Sequence, residues 1–374
     1  MNKDIALYIH IPFCKQKCLY CDFPSFCGKE TQMISYAEAL SKELDSVDKR
    51  IKTIFVGGGT PTYLSLEAWN IVKRSIDKLN KTSDLEFTVE GNPGTFSEEK
   101  LKLFKSMGVN RLSIGLQAWQ DSHLKSIGRI HSKDEFINSF SMARKLGFKN
   151  INVDLMFGLP NQSLDEWKET LDEVTRLEPE HLSCYSLIVE EGTPFYKSYE
   201  ENKLNLPEEE LEREMYHYTL KFLKSKGYNQ YEISNFSKKN RECKHNLVYW
   251  SLDEYLGCGS SAHSYIDGYR FRNEDNIEKY IQDINNRGTA VVEKNKNSLQ
   301  DNMEEFMFMG LRKIDGISMK DFQERFNTSI FNVYKDVIEK YKNKGMIIEK
   351  GDRIFLSPRG IEISNFIMSD FILC

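Results

Sequence analysis

Three cysteines, Cys14, Cys18 and Cys21, stand within eight residues directly after the alternating apolar run Ile5–Ile11. No other feature constrains the chain as tightly. The alternation predicts a first β-strand, and the loop behind it then carries soft ligands of the kind that suit iron–sulfur clusters and zinc. A structural zinc site takes four ligands, and this loop offers three. A [4Fe–4S] cluster held by three thiolates leaves one iron open to a small molecule. Lys15 and Lys17 lie between the cysteines, so their charge is expected to lower the thiol pKa values. The competing readings are three ordinary buried thiols, or a zinc clip completed by His10. By itself His10 reads better as a hydrogen-bonded core histidine. Cys27, Cys184, Cys243, Cys258 and Cys374 are scattered with no second CxxC, which argues against a second cluster and against a disulfide framework.

Beyond that loop the chain has a rhythm. Strand patterns at 5–11, 52–57, 84–90, 110–115, 150–157 and 180–188 alternate with helical periodicity at 32–47, 65–80, 97–107, 133–147, 163–176 and 207–225. Such alternation predicts a parallel sheet with right-handed crossovers. Six units are too few to close the usual eightfold barrel but enough for an open, partial one. Glycine-rich and polar stretches fall where these strands end: Gly57-Gly58-Gly59-Thr60-Pro61, Glu90-Gly91-Asn92-Pro93-Gly94, Arg111 to Gln117 and Asn152 to Pro160. Ligands bind at the C-terminal ends of parallel strands, so these stretches are expected to face one site. The triple glycine would let a ligand approach bare backbone, or would simply make a tight turn. Glu90 and Asp154 close apolar strands, where an unpaired carboxylate is costly; they read as ligand acceptors or as paired core groups. Tyr8 and Tyr20 flank the cysteines and could shield a cluster from solvent, or could be core aromatics.

From about 228 to 300 the rhythm breaks, and an irregular extension is expected. It contains His245-Asn246-x-x-Tyr249-Trp250 and the glycine- and serine-rich run Tyr255 to Ser264. An imidazole among aromatics suits axial haem ligation, although chemistry alone favours a structural histidine. The serine-rich run could face a ligand or be an ordinary loop. Residues 300–374 read as helix, helix, helix and a hairpin turning near Gly351-Asp352, a winged-helix shape. That shape often binds DNA, but fold does not dictate function, and a net charge of −5 offers no bulk attraction to nucleic acid. The tail from Ile361 to Leu373 is amphipathic without a basic face, and so is expected to pack rather than touch a membrane. No 18-residue apolar run occurs, and Met1 to Asp4 lack a signal-peptide core, so a cytoplasmic protein is expected.

CxxxCxxC with an aromatic before the last cysteine resembles the radical S-adenosylmethionine (SAM) superfamily. The surrounding Tyr8-x-His10-Ile-Pro-Phe-Cys14 is similar to the oxygen-independent coproporphyrinogen oxidases and their relatives. The resemblance implies a partial (β/α)6 barrel over 1–230, the extension over 231–299 and a small winged-helix-like domain over 300–374. It implies a [4Fe–4S] cluster on Cys14, Cys18 and Cys21, with SAM chelated at the open iron. Gly58, Gly59 and Thr60 would meet the SAM amino group. Glu90 and Asp154 would accept from its ammonium or ribose, and Gln117 and Arg129 match further contacts in order and spacing. Within the family, the oxidases carry a further cysteine two residues after the third, where this chain has Phe23, and a longer arm before the cluster. The His245 motif resembles instead a haem-chaperone group, in which that histidine is implicated in haem binding. The implied protein binds a cluster, SAM and haem, and passes haem to respiratory haem proteins at the membrane, itself cytoplasmic or peripheral there. Monomer and homodimer are both compatible with this. Other readings are an enzyme decarboxylating the propionates of coproporphyrinogen III, a different radical SAM tailoring enzyme, or a metal-clipped nucleic-acid binder.

Overall fold

The structure, a computed structural model, describes residues 4–373. Cys374 and Met1 to Lys3, on which part of the cysteine and leader readings rest, lie outside the described residues. The chain alternates strand and helix as the apolar patterns require. Strands β1 (Ile5–Ile11), β2 (Ile51–Gly58), β3 (Lys81–Gly91), β4 (Arg111–Gln117), β5 (Ile151–Phe157) and β6 (His181–Ser186) pair in sequence order, all parallel. Crossovers run through α1 (Met33–Asp45), α2 (Leu66–Lys78), α3 (Glu98–Ser106), α4 (Asp121–Ser126), α5 (Lys133–Lys145) and α6 (Leu164–Arg176); α7 (Pro194–Glu200) and α8 (Glu209–Ser225) follow β6. Helix starts are set by side-chain caps: Ser132 with Glu135, and Ser163 with Glu166, form reciprocal capping boxes.

Every second strand residue faces the helices. Leu7, Ile9, Ile54, Val56, Phe87, Val89, Leu112, Ile114, Val153 and Leu155 are fully buried there in one core. The alternate set turns inward and is polar: Tyr8, His10, Glu90, Ser113, Asn152, Asp154 and His181 hydrogen-bond or lie beside one another inside the curve of the sheet. That division follows from the two-residue period of a strand.

The stretch expected to be irregular is rich in strand. β7 (Asn229–Gln230) and β8 (Asn235–Ser237) extend the sheet beyond β6, antiparallel. α9 (Lys244–Trp250) enters the barrel, and β9 (Tyr255–Cys258) then pairs parallel with β1. β10 (His263–Ile266), β11 (Tyr269–Asn273), α10 (Ile277–Arg287) and β12 (Val291–Lys296) complete a 12-stranded open sheet. The serine-rich run lies against α1: Gly259 N–H donates to Glu43 (2.7 Å) and Ser260 N–H to the Tyr36 hydroxyl (3.0 Å).

The C-terminal unit has its own core around Phe306, Phe322, Tyr334 and Ile338. It comprises α11 (Leu299–Gly310), β13 (Ile317–Ser318), α12 (Met319–Phe326), α13 (Ile330–Asn343) and the hairpin β14 (Ile347–Lys350) and β15 (Arg353–Leu356). The hairpin and β13 form a three-stranded sheet, which is the winged arrangement. The tail folds as two short helices, α14 (Pro358–Glu362) and α15 (Ser364–Ser369), and buries Ile367, Met368 and Phe371. No helix of the described residues is long and apolar enough to cross a membrane.

Candidate functional site

A cavity of about 430 Å³ opens at the C-terminal ends of β1 to β6. Its walls include Cys14, Cys18, Tyr20 and Cys21 from the first loop, Gly58 and Gly59, Glu90, Gln117, Arg129, and Asp154. The volume lies within the usual range for small-molecule sites. Thr60 stands just behind the wall, its hydroxyl 3.4 Å from Cys14 Sγ and accepting from Asn92 Nδ2 (2.8 Å). Two predicted residues are elsewhere. Tyr8 lies deeper in the barrel and donates to His10 Nδ1 (3.0 Å), while His245 is at the opposite end.

The cysteine loop is pinned on all sides. Cys14 N–H donates to Phe26 O (3.0 Å), Leu19 N–H to Ile127 O (3.0 Å), and His10 Nε2 to Pro24 O (2.8 Å). His10 is thus the core histidine its position on the strand suggested, and burial holds its pKa down at about 4. Lys17 acts in the expected direction at Cys21 but is outweighed. Burial pushes the Cys14 thiol up and the Cys21 thiol up to about 11, outweighing the opposing Lys17 charge at Cys21. Lys17 Nζ donates to Phe23 O (3.0 Å). Metal ligation itself would have to displace these thiol protons. Among the described residues no three metal-binding side chains surround a single-ion position. Ligands of a multi-iron cluster bind different iron atoms, and three thiols along one cavity wall are a donor set of that kind.

Each glycine of the triple has its own steric reason. A Cβ on Gly57 would meet Glu90 Oε2 at 2.8 Å, one on Gly58 the His10 ring, and one on Gly59 the Phe13 carbonyl at 2.8 Å. Gly59 and Thr60 N–H donate to Ile11 O (2.9 Å) and Phe13 O (2.8 Å), which laces this turn to the cysteine loop. Glu90 keeps one face on the cavity yet sits deep in the barrel. Burial, and then the neighbouring Asp154 charge, raise its pKa to about 8. Arg129 reaches in from the α4–α5 connection, donating to Asn92 Oδ1 (3.0 Å), Gly115 O and Cys18 Sγ (3.6 Å). A Cβ on Gly115 would lie 2.6 Å from that guanidinium. Gln117 sits at φ 72°, a left-handed backbone that is uncommon for a residue with a side chain and is found at functional sites.

Asp154 is fixed from behind by a chain of hydrogen bonds. Ser113 Oγ donates to its Oδ2 (3.0 Å) and Asn152 Nδ2 to its Oδ1 (2.8 Å). Asn152 Oδ1 accepts from His181 Nδ1 (2.6 Å), and the Tyr231 hydroxyl donates to His181 Nε2 (2.8 Å). Burial, with Arg111 nearby, keeps His181 neutral. The Tyr231 oxygen in turn accepts from Cys243 N–H (3.3 Å), at the start of α9. All these donors point toward the Asp154 carboxylate.

At the other end of the barrel α9 acts as a plug. Glu86 accepts from Lys244 N–H and His245 N–H, both at 3.0 Å. The His245 ring is 1% exposed, stacks on Phe55 at 5.2 Å, and has both nitrogens engaged: Nδ1 with Thr53 Oγ1 (2.8 Å) and Nε2 with the Tyr249 hydroxyl (2.8 Å). Burial and the Arg111 charge hold its pKa down at about 3. Asn92, Glu86, Ser113, Asn152, His181 and Tyr231 had no assigned role in the sequence reading. Polar residues at strand positions that alternate with buried aliphatics were the available signal for four of them.

The chain matches the Radical SAM superfamily over residues 8–174 and the HemN C-terminal domain over residues 297–363. It is 41% identical over 377 residues to the heme chaperone HemW of Bacillus subtilis, covering 98% of this chain and 99% of that protein. Heme chaperone HemW of Lactococcus lactis is 35% identical, with 100% and 98% covered. Among solved structures, coproporphyrinogen III oxidase (HemN) from Escherichia coli, described as a radical SAM enzyme, superposes with a TM-score of 0.86. It is 21% identical and the match covers 99% of this chain and 90% of that one, which establishes the shared fold.

Proposed function

This chain belongs to the radical SAM superfamily, in the HemW family, and from that premise we propose that it is a haem chaperone. In this reading it carries a [4Fe–4S] cluster on Cys14, Cys18 and Cys21, binds SAM in the cavity, and hands haem to respiratory haem proteins. The observation that carries it is convergence: the cysteine loop and the ends of successive strands wall a single cavity in a chain that aligns with HemW throughout. When bound, the cluster supplies redox chemistry and an open iron for the amino and carboxylate groups of SAM.

The chain's own residues do the rest. Glu90 holds a proton below about pH 8, and a cationic amine at its face would draw that proton off and leave a matched carboxylate. Asp154, with both oxygens already fixed by Ser113 and Asn152, offers its remaining lone pairs to hydroxyl groups. The Gly58–Gly59 backbone, Gln117 and Arg129 orient the ligand, and Tyr20 shields the cysteine loop. Phe23 occupies the place where the oxidases carry a further cysteine, which supports a chaperone over an oxidase.

His245 is already neutral, the form that iron takes, but Tyr249 and Thr53 occupy its nitrogens. Ligation of haem iron therefore requires Tyr249 to withdraw and α9 to open. Anaerobic haem titration of the cluster-loaded protein, read in the Soret band, tests this. His245→Ala should abolish saturable one-site binding. Tyr249→Phe, which frees Nε2, should tighten it by about threefold to tenfold, the worth of one hydrogen bond. Identical titrations for all three proteins would remove His245 from the haem site. Coproporphyrinogen turnover would replace the chaperone reading with the oxidase one.

A further inference from the structure

A second cavity, about 350 Å³, lies between the end of α9 and the C-terminal unit, on the far side of the barrel from the cysteine loop. Trp250, the last residue of the histidine motif, forms one wall, and Phe306 and Ile317 of the C-terminal unit contribute apolar surface. Its charges are unevenly satisfied. Two acids line it, and both are already taken. Asp321 accepts from Arg325 Nε (2.9 Å), and Asp253 pairs with Arg325 (3.2 Å) and Lys52 (3.4 Å).

The remaining donors are weakly partnered. Lys313 Nζ reaches only the Ser251 hydroxyl (3.3 Å), and no carboxylate of the described residues comes within ion-pair distance of it. Burial depresses its pKa and outweighs the opposing charges of Asp315 and Asp321. Arg353 has one loose partner at the rim, Asp315 at 3.5 Å, which is itself exposed. The buried Trp250 indole N–H has no partner, and the Arg312 guanidinium lies 4.6 Å over the same ring. A buried donor such as the Trp250 N–H is costly unless an acceptor reaches it. An oxyanion attached to an apolar body would meet Lys313 and Arg353 in this cleft, with the Trp250 face as an apolar wall.

We propose that this cleft seats a carboxylate arm of the haem cargo, with Lys313 and Arg353 as its counter-charges and Trp250 against its apolar body. The inference rests on the chaperone reading and adds to it a role for the C-terminal unit. That unit supplies both cations, whereas the motif supplies the aromatic wall. It also explains why the histidine motif ends in a tryptophan that faces a neighbouring domain and not the cofactor cavity.

The test is a set of haem titrations on the cluster-loaded full chain, with haem and with its dimethyl ester, which lacks the charged arms. Lys313→Met keeps the stem and removes the charge; Arg353→Gln alters an exposed residue at the rim. Removing a hydrogen bond to a charged group should weaken haem binding about tenfold or more for Lys313→Met and less for Arg353→Gln. The dimethyl ester should bind the wild type at least as weakly as haem binds Lys313→Met, and should be insensitive to either substitution. Haem affinity equal to wild type in both variants, or an ester that binds the wild type as tightly as haem does, overturns the seat and leaves the cargo reading standing. A wild type with no saturable haem binding defeats the cargo reading, and the seat with it.

Discussion

The two ends of the barrel are built from the same strands and the same inward-facing alternation, yet they are opposites. At the lower end the inward residues are long and matched: Glu86 caps α9, Thr53 and Tyr249 hold His245, and Tyr231 links His181 to Cys243. At the upper end they shrink to glycine or stop short, and the groups that remain, Glu90, Gln117, Arg129 and Asp154, face an open volume. Filled polar positions give stability, and unfilled ones give a site. The hydrogen-bond chain from Cys243 to Asp154 joins the two ends.

Substitutions can separate the ends. The largest effect is expected at the cysteine loop, where Cys14→Ala, Cys18→Ala or Cys21→Ala should remove essentially all iron without unfolding the barrel. Full iron content in any of the three, measured on reconstituted protein, would break the assignment. Next, Glu86→Ala should act on the lower end alone. It leaves the Lys244 and His245 N–H groups buried without an acceptor, and should cost about 2–4 kcal/mol in urea unfolding. Iron loading of the folded fraction should not change. A loss of iron without a loss of stability would mean that the ends are not separable.

A smaller effect is expected from Glu90→Gln in the metal-free protein. The raised pKa means that the folded state binds a proton that the unfolded state has released between about pH 4.5 and pH 8. Stability from this group is complete below that window and falls as pH rises through it. The variant should therefore melt a few degrees above wild type near pH 9, with the difference vanishing by about pH 4. A pH-independent difference would place the Glu90 carboxyl outside the buried environment described. The same variant should weaken SAM binding to the cluster-loaded protein.

Much of the upper end was legible in the sequence because its signals are local. A cysteine triplet, a triple glycine and carboxylates at strand ends are each visible within a few residues, and parallel topology places strand ends together. The strands were legible for the same reason. The lower end was not. Glu86 finds α9 some 160 residues on, and β9 pairs with β1 across most of the chain, so no window of sequence contains either contact. The short strands β7 to β12, of two to six residues, carry too few alternations to register. The Lys17 charge acts on Cys21 as its nearness in sequence suggested, but burial, which local sequence does not show, dominates at Cys14 and Cys21.

The central claim is that the cysteine loop and the strand ends form one cofactor site. Electron paramagnetic resonance of the reduced, cluster-loaded protein tests it most directly, with and without SAM, in wild type and Glu90→Gln. The account predicts a cluster signal that shifts when SAM is added to the wild type, and a shift that needs much higher SAM in the variant. A fully loaded wild-type cluster whose spectrum ignores saturating SAM would contradict it.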